Sequence, residues 1–122
     1  MGGVSLGLAL ATLPFLHYAT GGGHTGPHEN HAARHGGQLG MVGDYHLEVV
    51  RRDGRIEVFV SDAYRHPVAP TRGWMRFDQG PQQPLRWERY RLVGAADMNA
   101  TEVTCDVMLP DGRGLSLTFA LG

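Results

Sequence analysis

The sequence predicts an all-β fold: a small antiparallel β-sandwich of immunoglobulin-like type over residues 37–122, preceded by a hydrophobic N-terminal segment and a Gly/His-rich linker. Three observations carry this. Polar and apolar residues alternate at period two through most of the second half of the chain, as in strands with one face inward. The alternating runs are short and are separated by Asp-Gly and Pro-Asp-Gly turns. No stretch shows a convincing helical period.

Taken in order, residues 4–19 carry no formal charge and include Pro14. Two readings apply to residues 1–20. One is a secretory leader, with Ala19-Thr20-Gly21 as a small-residue cleavage site. The other is a retained membrane anchor, although a span needs about 20 apolar residues and this run is shorter. Residues 21–36 read as a linker, because glycine and proline keep such a stretch from packing as a regular element. It carries His24, His28, His31 and His35.

The first hairpin joins Asp44–Val50 to Ile56–Ser61 through Asp53-Gly54. A two-residue turn there pairs Leu47 with Val60 and Val49 with Val58 on the apolar face. The other face sets Glu48 opposite Phe59 and His46 opposite Ser61. Residues 72–78 place Met75 and Phe77 inward, with Trp74 and Arg76 outward. Gly80–Pro84 reads as a turn cluster. Leu85–Val93 reads as one charged strand, irregular around Glu88–Arg91. Thr101–Leu109 aligns Val103, Cys105, Val107 and Leu109 on one face. Pro110–Gly114 is a second hairpin turn, and Leu115, Leu117, Phe119 and Leu121 complete the core. The expected total is six or seven strands.

Composition narrows the function. A net charge of −1 over 122 residues gives no global field to draw in nucleic acid. A single cysteine, Cys105, makes no internal disulfide and no Cys-x-x-Cys site; it reads as a small buried hydrophobe. No nucleophile–base pair, phosphate loop or paired-carboxylate cleft is visible, so the chain does not read as an enzyme.

The residues that suggest chemistry are histidines. His24, His28, His31 and His35 are spaced four, three and four apart, and imidazole suits zinc and copper. His46 and Glu48 lie two apart on one strand and so share a face, within about 7 Å. With His35 folded back through Gly36-Gly37 they would make a two-His, one-carboxylate metal site. The competing reading of His46 and Glu48 is an ordinary solvent-facing strand. Met41, Met75, Met98 and Met108 are thioether candidates for Cu(I) but form no cluster; Met75 reads as core, Met98 and Met108 as exposed. Trp87, Arg89, Tyr90 and Arg91 are candidates for a protein contact, since Trp, Tyr and Arg dominate interface hot spots; the alternative is an edge strand protected by charge.

The run His35-Gly36-Gly37-Gln38-Leu39-Gly40-Met41-Val42-Gly43-Asp44-Tyr45-His46-Leu47-Glu48 resembles the "HGG…H-x-E" β-domains of periplasmic heavy-metal efflux systems, which occur alone or on adaptors of cation exporters. The Asp-Gly hairpin, Val58-Phe59-Val60-Ser61-Asp62, His66-Pro67-Val68 and the final Leu115-x-Leu117-x-Phe119 are also similar. The resemblance covers residues 35–122 and implies a periplasmic metal-binding or accessory domain, with His35, His46 and Glu48 at the motif's polar positions. The chain departs from it at Ala63-Tyr64-Arg65-His66 and at Trp87–Arg91.

The leading expectation is an exported, non-catalytic binding module for copper or zinc, acting by sequestration or hand-off to an efflux transporter, with His24, His28 and His31 as auxiliary ligands. The alternative is an accessory subunit on the periplasmic side of a larger membrane complex, such as an electron-transfer or photosynthetic assembly. It would be anchored by residues 4–19 and carry no working metal site. Both place the domain outside the cytoplasm.

Overall fold

In the computed structural model, residues 32–122 are described. Among them the fold is all-β, with eight strands: β1 Gln38–Val42, β2 Tyr45–Arg52, β3 Arg55–Ser61, β4 Arg72–Phe77, β5 Gln82–Glu88, β6 Arg91–Ala95, β7 Glu102–Met108 and β8 Gly114–Ala120. Every pairing is antiparallel, in the order β1-β2-β3-β6-β5-β4-β7-β8.

The two layers are halves of one continuous sheet, and β5 makes the fold-over. Its Gln83, Pro84 and Leu85 pair with β4, whereas Arg86, Trp87 and Glu88 pair with β6. At the far side β1 approaches β8, which nearly closes a barrel. The Gln38 side-chain amide donates to the Ala120 carbonyl. A Cβ on Gly40 would lie 3.1 Å from Leu117 Cδ1. Leu47, Val49, Ile56, Val58, Met75, Val103, Cys105 and Leu117 fill the space between the layers. Each such buried aliphatic side chain contributes roughly 1.5–3 kcal/mol of transfer free energy.

The first hairpin has the expected register, with Leu47 opposite Val60, Val49 opposite Val58, Glu48 opposite Phe59 and His46 opposite Ser61. Asp53 and Gly54 both have positive φ, as a type I′ turn requires. Met75 and Phe77 are buried, as are Val103, Cys105, Val107, Leu109, Leu115, Leu117 and Phe119.

Three expectations need correction. Residues 38–42, for which no strand is expected, form β1, because backbone pairing with β2 overrides their glycine content. Gly80–Pro84 is a shorter turn than expected, since β5 begins at Gln82 and includes Pro84. Leu85–Val93 is two strands and not one, joined by a tight turn at Arg89-Tyr90. That places Trp87, Arg89, Tyr90 and Arg91 in a central hairpin and not on an edge strand.

The missed turn carries no glycine or asparagine. Arg89 and Tyr90 have φ of 48° and 70°, the left-handed region that bulky residues avoid at roughly 1–2 kcal/mol each. Replacing the pair by Asn-Gly is therefore expected to raise stability by about 1–2 kcal/mol in urea unfolding. An unchanged midpoint would show that the turn is not strained.

Candidate functional site

The site is built on the outer face of β2 and β3. Leu39 of β1, Glu48 of β2 and Phe59 of β3 lie side by side there by register. Instead of facing solvent, Glu48 and His46 are each only 2% exposed. Residues 34–37 cross above Glu48, which holds them down.

Four hydrogen bonds make that latch. Glu48 Oε1 accepts from the Arg34 amide at 3.0 Å and from His35 Nδ1 at 2.8 Å. Its Oε2 accepts from the His35 amide at 2.8 Å and the Gly37 amide at 2.9 Å. An ionised carboxylate offers about four lone-pair positions, so this one is filled. The His35 ring lies flat on Phe59, with centroids 3.6 Å apart and planes at 2°.

This geometry sets a tautomer. A carboxylate only accepts, so Nδ1 of His35 carries the proton, and Nε2 of the neutral ring carries the lone pair. The same logic holds for His46, whose Nδ1 donates to the Asp62 carbonyl at 3.0 Å. In both rings Nδ1 is therefore the nitrogen that donates.

Burial alone would raise the Glu48 pKa. Hydrogen bonds from the His35 ring and from the Arg34, Gly37 and His35 amides outweigh it and hold the carboxyl below its ordinary 4.5. A carboxyl with a depressed folded-state pKa stabilises the fold fully above its unfolded value, and the contribution disappears as pH falls through the folded one. Stability is thus expected to drop below pH 4.5. Urea-unfolding curves of Glu48→Gln should show a shallower acid slope; an equal slope would assign the acid loss elsewhere.

A pocket of about 260 Å³ opens beside the latch. Leu39, Phe59, Val60 and Pro67 give it apolar walls, Arg34, His35 and Arg65 polar ones, and Tyr90 stands at its edge. Arg65 is 7% exposed, has φ of 67° and donates to Ser61 Oγ at 3.2 Å and to the Ala32 carbonyl at 3.1 Å. Burial lowers its pKa, the Arg34 charge lowers it further, and Glu48 partly offsets both.

The structure thus brings His35 and Glu48 into contact and places His46 along the same face. His24, His28 and His31 lie outside the described residues, as do residues 4–19. Among the described residues no group of three or more His, Cys, Asp or Glu side chains is gathered as a metal site, and no helix is long and apolar enough to cross a membrane. Cys105 is fully buried, and burial pushes its thiol pKa well up. Met75 is core, whereas Met98 and Met108 are exposed. Arg91 is engaged internally, donating to Glu57 Oε2 at 2.9 Å. Trp87 and Tyr90 are 43% and 79% exposed.

Sequence reasoning missed Arg34, Phe59 and Arg65; it named Tyr90 only as a protein-contact candidate and Gly37 only as part of the return of His35. Of the three, Phe59 had a visible signal, its position opposite Glu48 in the first hairpin. Compared with protein-family models, curated proteins and solved structures, the chain finds no match.

Proposed function

We propose that this is a non-catalytic, extracytoplasmic binding module for a transition metal, zinc or copper, in which His35 is the pre-oriented ligand. The observation that supports it is the 2.8 Å bond from His35 Nδ1 to Glu48. A carboxylate behind an imidazole fixes ring and tautomer and raises the basicity of the opposite nitrogen, an arrangement recurrent behind metal-bound histidines. Glu48, its lone pairs filled, serves in this reading as the orienting carboxylate and not as a ligand. His24, His28 and His31 supply further imidazoles, and His46 contributes where its buried ring is reached. The metal is held for sequestration or for transfer to an efflux transporter.

Calorimetric titration of the full chain with zinc or copper tests this. Micromolar binding is expected, weakened about tenfold by His35→Ala. Binding no tighter than millimolar, or unaffected by His35→Ala, would rule the reading out.

The exposed Trp87 and Tyr90 beside a strained turn favour a second reading, an accessory subunit docked on a membrane complex. Co-purification of larger membrane subunits with the chain, lost on Trp87→Ala/Tyr90→Ala, would support it; recovery of the chain alone would count against it.

A further inference from the structure

The pocket beside the latch carries the charge of Arg34, which its lining residues leave unanswered. The other guanidinium in the lining, Arg65, is engaged by Ser61 Oγ and the Ala32 carbonyl. Glu48 cannot answer Arg34's side chain, because four other donors fill it. Arg34 uses its backbone amide in that set, and its guanidinium forms no ion pair among the described residues. Around the two arginines the walls are apolar and aromatic: Leu39, Phe59, Val60 and Pro67, with Tyr90 at the rim.

Such a combination selects a particular chemistry. A guanidinium beside a partly desolvated wall favours a planar oxyanion that it can grip with two parallel bonds. The apolar walls favour a compact hydrophobic group attached to that anion. At about 260 Å³ the space lies below the roughly 300–1,000 Å³ of sites for drug-sized molecules. It suits one ring or one branched side chain. Tyr90 is held at the rim by a left-handed turn, a conformation that costs stability and that local sequence does nothing to relieve.

We infer that the pocket between Arg34, Phe59, Arg65 and Tyr90 binds an apolar carboxylate, with Arg34 gripping the carboxylate and the hydrophobic group against Phe59 and Leu39. Two sources present this chemistry: a small free organic acid, and the C-terminal residue of a partner chain. The pocket is separate from the metal reading, since binding there turns on the Arg34 guanidinium, whereas the latch behind His35 uses only the Arg34 backbone amide.

The test uses the full chain, free of metal, with amide and ring resonances followed by NMR. Benzoate is titrated against its neutral counterpart benzyl alcohol. A tripeptide ending in a free leucine carboxylate is titrated against the same peptide amidated. Both carboxylates are expected to shift the Phe59 and His35 ring signals, and both neutral probes to bind at least about tenfold more weakly. A peptide markedly tighter than benzoate assigns the site to a chain terminus; similar affinities assign it to a small acid. Arg34→Ala is expected to lose about tenfold and Arg34→Lys to recover part of it. Neither replaces the backbone amide that Glu48 holds. No binding by either carboxylate up to about 10 mM, equal binding of the neutral probes, or full affinity in Arg34→Ala would overturn the inference.

Discussion

Replacing Glu48 by alanine is expected to cost about 3 kcal/mol of folding stability, more than any other single polar substitution on this face. The loss goes beyond one ion pair. Three backbone amides and one ring N–H converge on the carboxylate. Each buried donor left without a partner costs about 1–3 kcal/mol, and rehydration of residues 34–37 as they lift away returns part of it. Glu48→Gln keeps the shape but turns an NH₂ toward donors on one side, so about 2 kcal/mol is expected. His35→Ala removes one hydrogen bond and the stack on Phe59, worth about 1–2 kcal/mol. Urea unfolding of the three variants should rank them in that order. If Glu48→Ala lies within about 0.5 kcal/mol of the parent, the latch is not what holds this segment.

The second large effect is expected at Gly37. A Cβ there would sit 2.1 Å from the Val49 carbonyl oxygen and 2.8 Å from its carbon. Those atoms belong to the backbone of β2, paired on both sides, and cannot move aside as a flexible side-chain end would. Alanine must push residues 34–37 off β2, taking the Gly37 amide from Glu48 with it. About 2–3 kcal/mol is expected, together with loss of the His35–Phe59 stack in ring shifts. Gly36→Ala is the comparison. Its Cβ meets nothing within 4 Å, and it suffers only the penalty of φ +83°, about 1 kcal/mol. Equal effects at the two positions would mean that the close approach to Val49 is not the cause.

Where alternation and turn chemistry agreed, the fold was readable from sequence. Leu47, Val49, Val58 and Val60 alternate about an Asp-Gly pair, and a slip of one residue would have reversed every face. The β7–β8 hairpin was visible for the same reason. The β5–β6 hairpin was hidden because its turn residues are Arg89 and Tyr90, which no turn rule nominates. β1 was hidden because Gln38–Val42 carries a weak pattern, and its strand character comes from pairing with β2.

The site was legible in part. Spacing placed His46 and Glu48 on one face, and Gly36-Gly37 suggested the return of His35. Covering Glu48 with residues 34–37 is a tertiary event, so its burial was not visible, and neither was that of His46. Nor was the role of Glu48, since a carboxylate that binds backbone amides looks the same in sequence as one that binds a metal. Arg34 and Arg65 are 31 positions apart in the chain and meet only through the folded sheet.

Glu48 holds the His35 ring in one orientation with Nδ1 as donor, which nitrogen-15 NMR of the histidine side chains in the full chain reports directly. The result expected at neutral pH is a proton on Nδ1 of His35 and a lone pair on Nε2, with the Nε2 signal moving when zinc is added. A proton on Nε2 with none on Nδ1, or two tautomers in rapid exchange, would contradict it.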